Sequence, residues 1–208
     1  MSHSSIDTFL FDLGNVLINW DPRHVYRKLF AREEEMERFL SDICNHDWNV
    51  QMDAGRSFAD GIAELVKLHP EQAPLIRAYR ERWPEMLGGP IGETVDLLAG
   101  LRGNGRRLFA LTNWSADTFP IARRQYDFLD WFDHIVVSGE VKLVKPDPAI
   151  FRLAIERCAL DPARTLFIDD SRVNVESAAR IGFATHHFTG PGELRATLAD
   201  WGLLNGSV

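Results

Sequence analysis

The chain has 208 residues, 45% of them hydrophobic and 25% charged, with 23 basic against 30 acidic side chains and a net charge of −7. This suits a soluble protein of one large domain, or a core plus an insert, with enough buried surface to need no disulfide or metal staple. The acidic balance argues against a general nucleic-acid grip, which needs a basic face, and no apolar run approaches the roughly 18 residues of a membrane span. Cys44 and Cys158 make no disulfide framework, and Met1-Ser-His-Ser-Ser lacks the basic end and apolar stretch of a secretory leader, so the expectation is a cytoplasmic protein.

Ile6 to Asp12 is a short apolar run ending in an acid and followed by Gly14, the pattern of a buried parallel strand with Asp12 at its C-terminal end. The next stretch has helical texture. Pro22 suits a helix start with Val25, Leu29 and Phe30 at helical spacing, and Glu33–Ile43, Phe58–Leu68 and Glu71–Met86 follow, with breaks near Asn45, Gly55 and Pro70. Such a length without a strand signal predicts a helical insert. After Gly88-Gly89-Pro90 strands and helices alternate. Strands are expected at Arg107–Thr112, His134–Val137, Thr165–Ile168 and Phe183–Phe188. Helices are expected at Gly92–Leu101, Asp117–Tyr126, Pro148–Cys158, Val173–Ile181 and Gly192–Ala199. That alternation predicts an α/β fold with a parallel sheet covered on both faces.

Ligands of such sheets bind beyond the carboxyl ends of the strands. There the sequence places Asp12, Thr112-Asn113 and Asp169-Asp170, with Lys145-Pro146 in the loop after the strand at 134–137. Three carboxylates on one edge repel, and a hard divalent cation relieves them; Mg²⁺ takes one or two carboxylates with water and substrate phosphate. A carboxylate in that setting suits nucleophilic attack on phosphorus, Thr112 and Asn113 can donate to phosphoryl oxygens, and Lys145 balances the added charge.

Taken in order, Phe11-Asp12-Leu13-Gly14-Asn15-Val16-Leu17, Leu111-Thr112-Asn113, Lys145-Pro146-Asp147-Pro148 and Phe167-Ile168-Asp169-Asp170 resemble the four motifs of the haloacid dehalogenase superfamily, and Asn174 to Gly182 fits the tail of the last. The resemblance implies a Rossmann-like core at 1–18 and 88–208 with an α-helical cap inserted at 19–87, as in subfamily I. It implies Asp12 as nucleophile, with Thr112, Asn113 and Lys145 at the phosphoryl group and Lys145 also stabilising the reaction. The implied Mg²⁺ site is Asp12, the backbone carbonyl of Gly14, Asp169 and Asp170. The details are similar to a branch of small-molecule phosphatases that includes bacterial glucose-1-phosphate phosphatases. The expected substrate is therefore a small phosphorylated metabolite, with no nucleic-acid or membrane partner and a monomeric or homodimeric chain.

One departure stands out. Most phosphatases of the superfamily read Asp-x-Asp where this chain has Asp12-Leu13-Gly14, and the missing carboxyl is the usual general acid and base, a group worth about 10²–10⁴-fold in rate. Asp21, the cap, water or the substrate must stand in, and a leaving group more acidic than a plain alcohol, as in an anomeric or acyl phosphate, needs the proton less. The rivals are a metal-independent 2-haloacid dehalogenase, which also lacks the second acid, and a phospho-ligand-binding protein with little turnover. Asp169-Asp170 opposes the first, because that enzyme's fourth motif typically reads Ser-Ser-Asn, and the retained Asp12, Thr112, Lys145 and Asp169 oppose the second.

Each residue singly has a plainer reading: Asp12 as a strand-end acid, Gly14 as the residue permitting a tight turn, Thr112 as a helix cap, Asp169-Asp170 as acids at a helix start and Lys145 as a loop lysine. Lys142 competes with Lys145, His186-His187 has no matching ligand cluster, and Trp20 and Trp114 flank motif ends where either can meet substrate. Asn49, Gln51, Asp53 and Arg56 form a polar segment of the cap, suited to reading a substrate or to facing solvent.

Overall fold

In the computed structural model, which describes residues 6–204, β1 (Thr8–Phe11) is the centre of a five-stranded parallel sheet. The antiparallel pair β2 (Ile18–Trp20) and β3 (Leu87–Pro90) lies apart from that sheet. Between its two strands run α1 (Arg23–Tyr26), α2 (Glu33–Asp42), α3 (His46–Asp53), α4 (Phe58–Leu68) and α5 (Ala73–Glu81). Then α6 (Gly92–Gly103), β4 (Arg107–Thr112), α7 (Phe119–Gln125), β5 (His134–Val137), α8 (Ser138–Val141) and α9 (Pro148–Cys158) follow. The chain continues through β6 (Thr165–Asp169), α10 (Arg172–Ile181), β7 (Ala184–His187) and α11 (Pro191–Asp200). Sheet order is β5-β4-β1-β6-β7, so the predicted α/β fold with a parallel sheet is present.

Side chains of the central strands alternate between two apolar layers. Phe9, Phe11, Leu108, Ala110, Leu166 and Ile168 belong to one. Leu10, Phe109, Leu111 and Phe167 belong to the other, under Ile150 and Phe151 of α9 and Ala178 of α10. Strands covered on both faces read as continuous apolar runs, which is why the sequence marked them so clearly. Phe11 pairs with Ala110 on one side and Ile168 on the other, so β1, β4 and β6 end level with one another. That register brings Asp12, Thr112 and Asp169 to a common edge.

The first apolar layer continues into the insert without a break. There Tyr26, Phe39, Trp48, Phe58 and Tyr79 interlock; the Trp48 and Tyr79 rings meet edge to face with centroids 4.9 Å apart, a contact worth about 0.5–1.5 kcal/mol beyond area burial.

Several expected bounds change. The strand expected over 6–12 is four residues long, and the helix expected over 71–86 stops at Glu81, giving way to a 3-10 turn at Trp83–Met86 that carries Pro84. The break expected near Asn45 is instead the start of α3, where the Asn45 side chain accepts the Trp48 N–H (2.8 Å). The β2–β3 pair interrupts what the sequence showed as an all-helical stretch; strands of three and four residues, one of them Leu-Gly-Gly-Pro, carry no periodic signal.

Candidate active site

Asp12 follows β1 directly, and its position is fixed by its own N–H, donated to the Ile168 carbonyl (2.8 Å). Its Oδ1 accepts the Leu13 N–H (2.7 Å) and lies 3.0 Å from Lys145 Nζ. Lys145 is buried among the strand ends. Its ammonium also donates to Asp169 Oδ2 (2.7 Å) and to the Leu111 carbonyl (2.8 Å). Three donors thus have three acceptors, and a phosphoryl oxygen has to displace one of them to reach Lys145. The lysine is placed first as the charge that holds two acids together.

Asp169, fully buried at the end of β6, is held by three donor groups. Oδ1 accepts from the Ser171 N–H (2.8 Å) and Asn174 Nδ2 (3.0 Å), while Oδ2 accepts from Lys145 and Asn174. Asn174 was quoted in the sequence only as part of a motif tail; its amide orients the buried acid. Asp170, the exposed neighbour, completes a group in which Asp12, Asp169 and Asp170 each bring a carboxylate oxygen within 4.8 Å of the others. Burial raises the Asp12 pKa above the usual carboxylate range; Lys145 opposes the shift, and Asp169 and Asp170 reinforce it. Burial works against the Lys145 ammonium, yet the Asp12 and Asp169 charges outweigh it and raise its pKa. Clustered all-oxygen donors with excess negative charge are what a hard divalent cation takes, so these residues fit Mg²⁺.

Asn113 has a structural part besides the one expected. Its Oδ1 accepts the Lys145 N–H (2.8 Å) and its Nδ2 donates to the Lys145 carbonyl (3.0 Å). The amide clamps the lysine's backbone, with one N–H remaining toward the cavity that Asn113 lines. Thr112 is 1% exposed at the end of β4 and lies off the cavity lining. Gly14 lines the cavity, but the turn needs no glycine there: the left-handed residue is Asn15 (φ 53°), and a Cβ added at Gly14 meets nothing within 4 Å.

The cavity has a volume of about 570 Å³ and is walled by both the strand-end loops and α3. Trp20 and Trp114 line it as expected, joined by Trp83 and Phe58, which the sequence did not single out. Trp83 and Trp114 pack with ring centroids 5.7 Å apart, and the buried Trp114 Nε1 has no protein partner among the described residues. Of the polar cap segment, Asn49 and Asp53 face the cavity. Gln51 and Arg56 do not line it: Arg56 bonds Gln51 Oε1 (2.6 Å) and pairs with Glu64. Asp21 is also off the cavity lining, its carboxylate accepting the Arg23 N–H (2.9 Å) at the start of α1, which corrects the expectation that it stands in for the absent acid. Lys142 caps α8 in a left-handed conformation and does not line the cavity. His186 and His187 join no cluster of three or more ligand-type residues among the described ones.

Comparison with known proteins agrees with this constellation. The family model for haloacid dehalogenase-like hydrolases matches residues 6–182, and the chain belongs to that family. Over 186 residues it is 37% identical to a phosphorylated carbohydrates phosphatase of Thermotoga maritima, covering 85% of this chain and 82% of that one. The fold superposes on a haloacid dehalogenase family enzyme of Bacteroides thetaiotaomicron solved with magnesium and inorganic phosphate, at a TM-score of 0.67 and 26% identity, covering 89% and 95% of the two chains. An (S)-2-haloacid dehalogenase of a Pseudomonas species is 29% identical over 96 residues, 46% of this chain and 41% of that enzyme. The chain is thus a hydrolase with phosphatases among its near full-length relatives, as its motifs led one to expect. Among the described residues no helix is long and apolar enough to cross a membrane.

Proposed function

We propose that the protein is a Mg²⁺-dependent phosphatase of a small phosphorylated metabolite of sugar-phosphate size, working through an aspartyl phosphate on Asp12. The observation that carries this reading is the pairing of Asp12 and Asp169 with one buried lysine, with Asp170 beside them, where Asp12, Asp170 and Lys145 line the cavity. Asp12, the Gly14 carbonyl, Asp169 and Asp170 would hold Mg²⁺, which when bound neutralises charge on the phosphoryl oxygens. The protein's own part is positional. Leu13 N–H and Lys145 hold Asp12 Oδ1, so Oδ2 is the oxygen turned to attack. Lys145 and Asn113 keep the acids in register, and Thr112 and the free Asn113 N–H are the groups nearest in sequence for donating to the phosphoryl oxygens.

Residues 19–87 act in this reading as a cap over the core formed by 1–18 and 88–208. The cap excludes water and supplies the face of the cavity that chooses the leaving group. Trp20, Trp83 and Trp114 offer flat apolar surface to a ring, and the Trp114 indole Nε1–H, without a protein partner among the described residues, offers a donor to a hydroxyl. The similarity to a carbohydrate phosphatase supports the same class of substrate.

The dehalogenase alternative draws on Gly14 and on the partial similarity to a haloacid dehalogenase. Against it, Asp170 adds a carboxylate beside Asp12 that repels a carboxylate substrate. Phosphate release from p-nitrophenyl phosphate and a panel of sugar phosphates, with Mg²⁺ and with EDTA, tests the proposal beside chloride release from 2-chloropropionate. Magnesium-dependent phosphate release is expected; chloride release indifferent to EDTA would replace the phosphatase reading with the dehalogenase one.

A further inference from the structure

The first motif carries no acid at position 14, yet the cavity contains a buried carboxyl from elsewhere. Four carboxylates line it: Asp12 and Asp170 belong to the proposed metal site, Asp47 is exposed near the start of α3 and Asp53 is buried at its end. No hydrogen bond joins Asp53 to Asp12, Asp169 or Asp170. We infer that Asp53 is the general acid and base of phosphoryl transfer, doing from the insert what the second acid of the Asp-x-Asp motif does from position 14. The inference rests on the phosphatase reading above and deepens it.

The placement of Asp53 is over-determined. Within the insert, buried Tyr79 donates its hydroxyl to Asn49 Oδ1 (3.0 Å), and Asn49 Nδ2 donates to Asp53 Oδ2 (3.0 Å). The Ser115 backbone N–H also donates to the Asp53 carboxyl. From the core, Ser138 Oγ donates to the Asp53 carbonyl (2.6 Å) and accepts the Trp114 N–H (2.8 Å), tying the end of α3 to the loop after β4. Gly55, with φ +97°, lets the chain turn away directly after Asp53; a Cβ there would lie 2.8 Å from Lys142 Cγ and 3.0 Å from the Gly139 carbonyl. The approach of α3 to α8 is thus as close as the backbone allows.

The charged groups around Asp53 come from every neighbouring element. Asp12 and Lys145 act on it from the strand ends; Lys142 packs beside Gly55, two residues further on, Asp117 in the loop after β4 accepts the Phe58 N–H (2.9 Å), and His46 and Asp47 line the same cavity from the exposed start of α3. Arg56 is turned outward to Gln51 and Glu64. Burial pushes the Asp53 carboxyl up to about 7; the Ser115 backbone amide and Lys145 oppose the shift, and Asp12 adds to it. Both protonation states are then populated near neutrality, as an acid that must become a base requires.

The two steps balance. In the first, Asp12 attacks phosphorus, the bond from phosphorus to the leaving oxygen breaks, and protonated Asp53 gives that oxygen its proton, releasing the alcohol. In the second, ionised Asp53 takes a proton from water, the water oxygen attacks phosphorus, and the bond to Asp12 breaks. Phosphate leaves, with Asp12 again a carboxylate and Asp53 again protonated. With Asp53 present, restriction to activated leaving groups becomes a property expected of a variant that lacks it.

The test compares kcat/KM, which reports the first step, for p-nitrophenyl phosphate and for an alkyl phosphate in the wild type and Asp53→Asn. The acidic phenol needs no proton and the alcohol does, so the variant should lose about 10²–10⁴-fold on the alkyl ester and far less on the aryl ester. Gly14→Asp in the Asp53→Asn background should recover part of the alkyl activity, because position 14 has room for a side chain. Equal losses on both esters, or no loss on either, would overturn the assignment of Asp53 while leaving the phosphatase reading standing. If Asp53→Asn does not fold, the wild type still decides: a steep dependence of kcat/KM on leaving-group acidity would show that no acid assists departure and would overturn the assignment. Absence of magnesium-dependent release from either ester in the wild type would overturn both readings.

Discussion

Replacing Lys145 with methionine keeps the volume of the side chain and removes its charge. The ammonium has no solvent exposure and makes charge-assisted contacts to Asp12 and Asp169 at 3.0 and 2.7 Å. Hydrogen bonds to charged groups contribute about 1.5–3 kcal/mol each, so two give about 3–6 kcal/mol, and deleting one member of a buried ion pair costs about 3–5 kcal/mol. For a chain of this length that is a fall of about 6–20 °C in Tm. The sign of the pH dependence follows from Asp12. Its folded pKa lies above its unfolded value, so its protonation favours the folded state at low pH, and that contribution is lost as pH rises through the folded pKa. Lys145 lowers that pKa, so Lys145→Met raises it further and widens the window of loss. Thermal unfolding of wild type and variant at pH 5 and pH 8, both in EDTA, should therefore show the larger deficit at pH 8. A deficit below about 1 kcal/mol at pH 8, far under the range for a broken buried pair, or one that shrinks as pH rises, would refute the view that Lys145 is the counter-charge of the acid cluster.

Asp12→Asn should abolish turnover and leave the unfolding transition cooperative; substantial residual phosphate release would remove Asp12 as nucleophile. Asp169→Asn should lower activity and weaken the response to Mg²⁺ together, measured as the Mg²⁺ concentration giving half-maximal rate. Gly55→Ala should cost about 1–3 kcal/mol in denaturant unfolding, because a side chain is forced into a left-handed turn against Lys142 and Gly139; stability equal to wild type would show that α3 and α8 are not closely docked. Gly14→Asp alone brings a further carboxylate to the edge that holds Asp12, so thermal unfolding in EDTA should give a Tm below wild type, from like charge and not from a clash, since a Cβ there meets nothing within 4 Å; an unchanged Tm would show that position 14 is screened from the acids.

The strands and helices that the sequence located to the residue are those with a strong local signal. β4 and β5 carry apolar runs of buried parallel strand, α4 has Ser57 as its N-cap, and α9 begins at Pro148 behind the Asp147 cap. The level ends of β1, β4 and β6 were legible because each run closes on a polar residue, and there Asp12, Lys145, Asp169 and Asp170 do come together. Elements that owe their form to tertiary contacts were not. β2 and β3 are too short for a period, and α8 is a single turn set by the loop it packs against, where a Cβ on Gly139 would lie 2.4 Å from the Ala116 nitrogen. α3 alternates poorly because one side of it faces a cavity, and a polar lining resembles a solvated loop in sequence. The structural part of Asn113 was likewise hidden: nothing local to Leu111-Thr112-Asn113 shows that its amide closes on a backbone 32 residues away. Asp53 was visible only as one polar residue among four, and the groups that hold it, Ser115, Ser138 and, through Asn49, Tyr79, are mostly distant in sequence.

The most direct test of the central claim is phosphate release from a small sugar phosphate by wild type and Asp12→Asn, each with Mg²⁺ and with EDTA. Release is expected in one condition of the four, wild type with Mg²⁺. Release by wild type that is unchanged in EDTA, or by Asp12→Asn at a comparable rate, would contradict it.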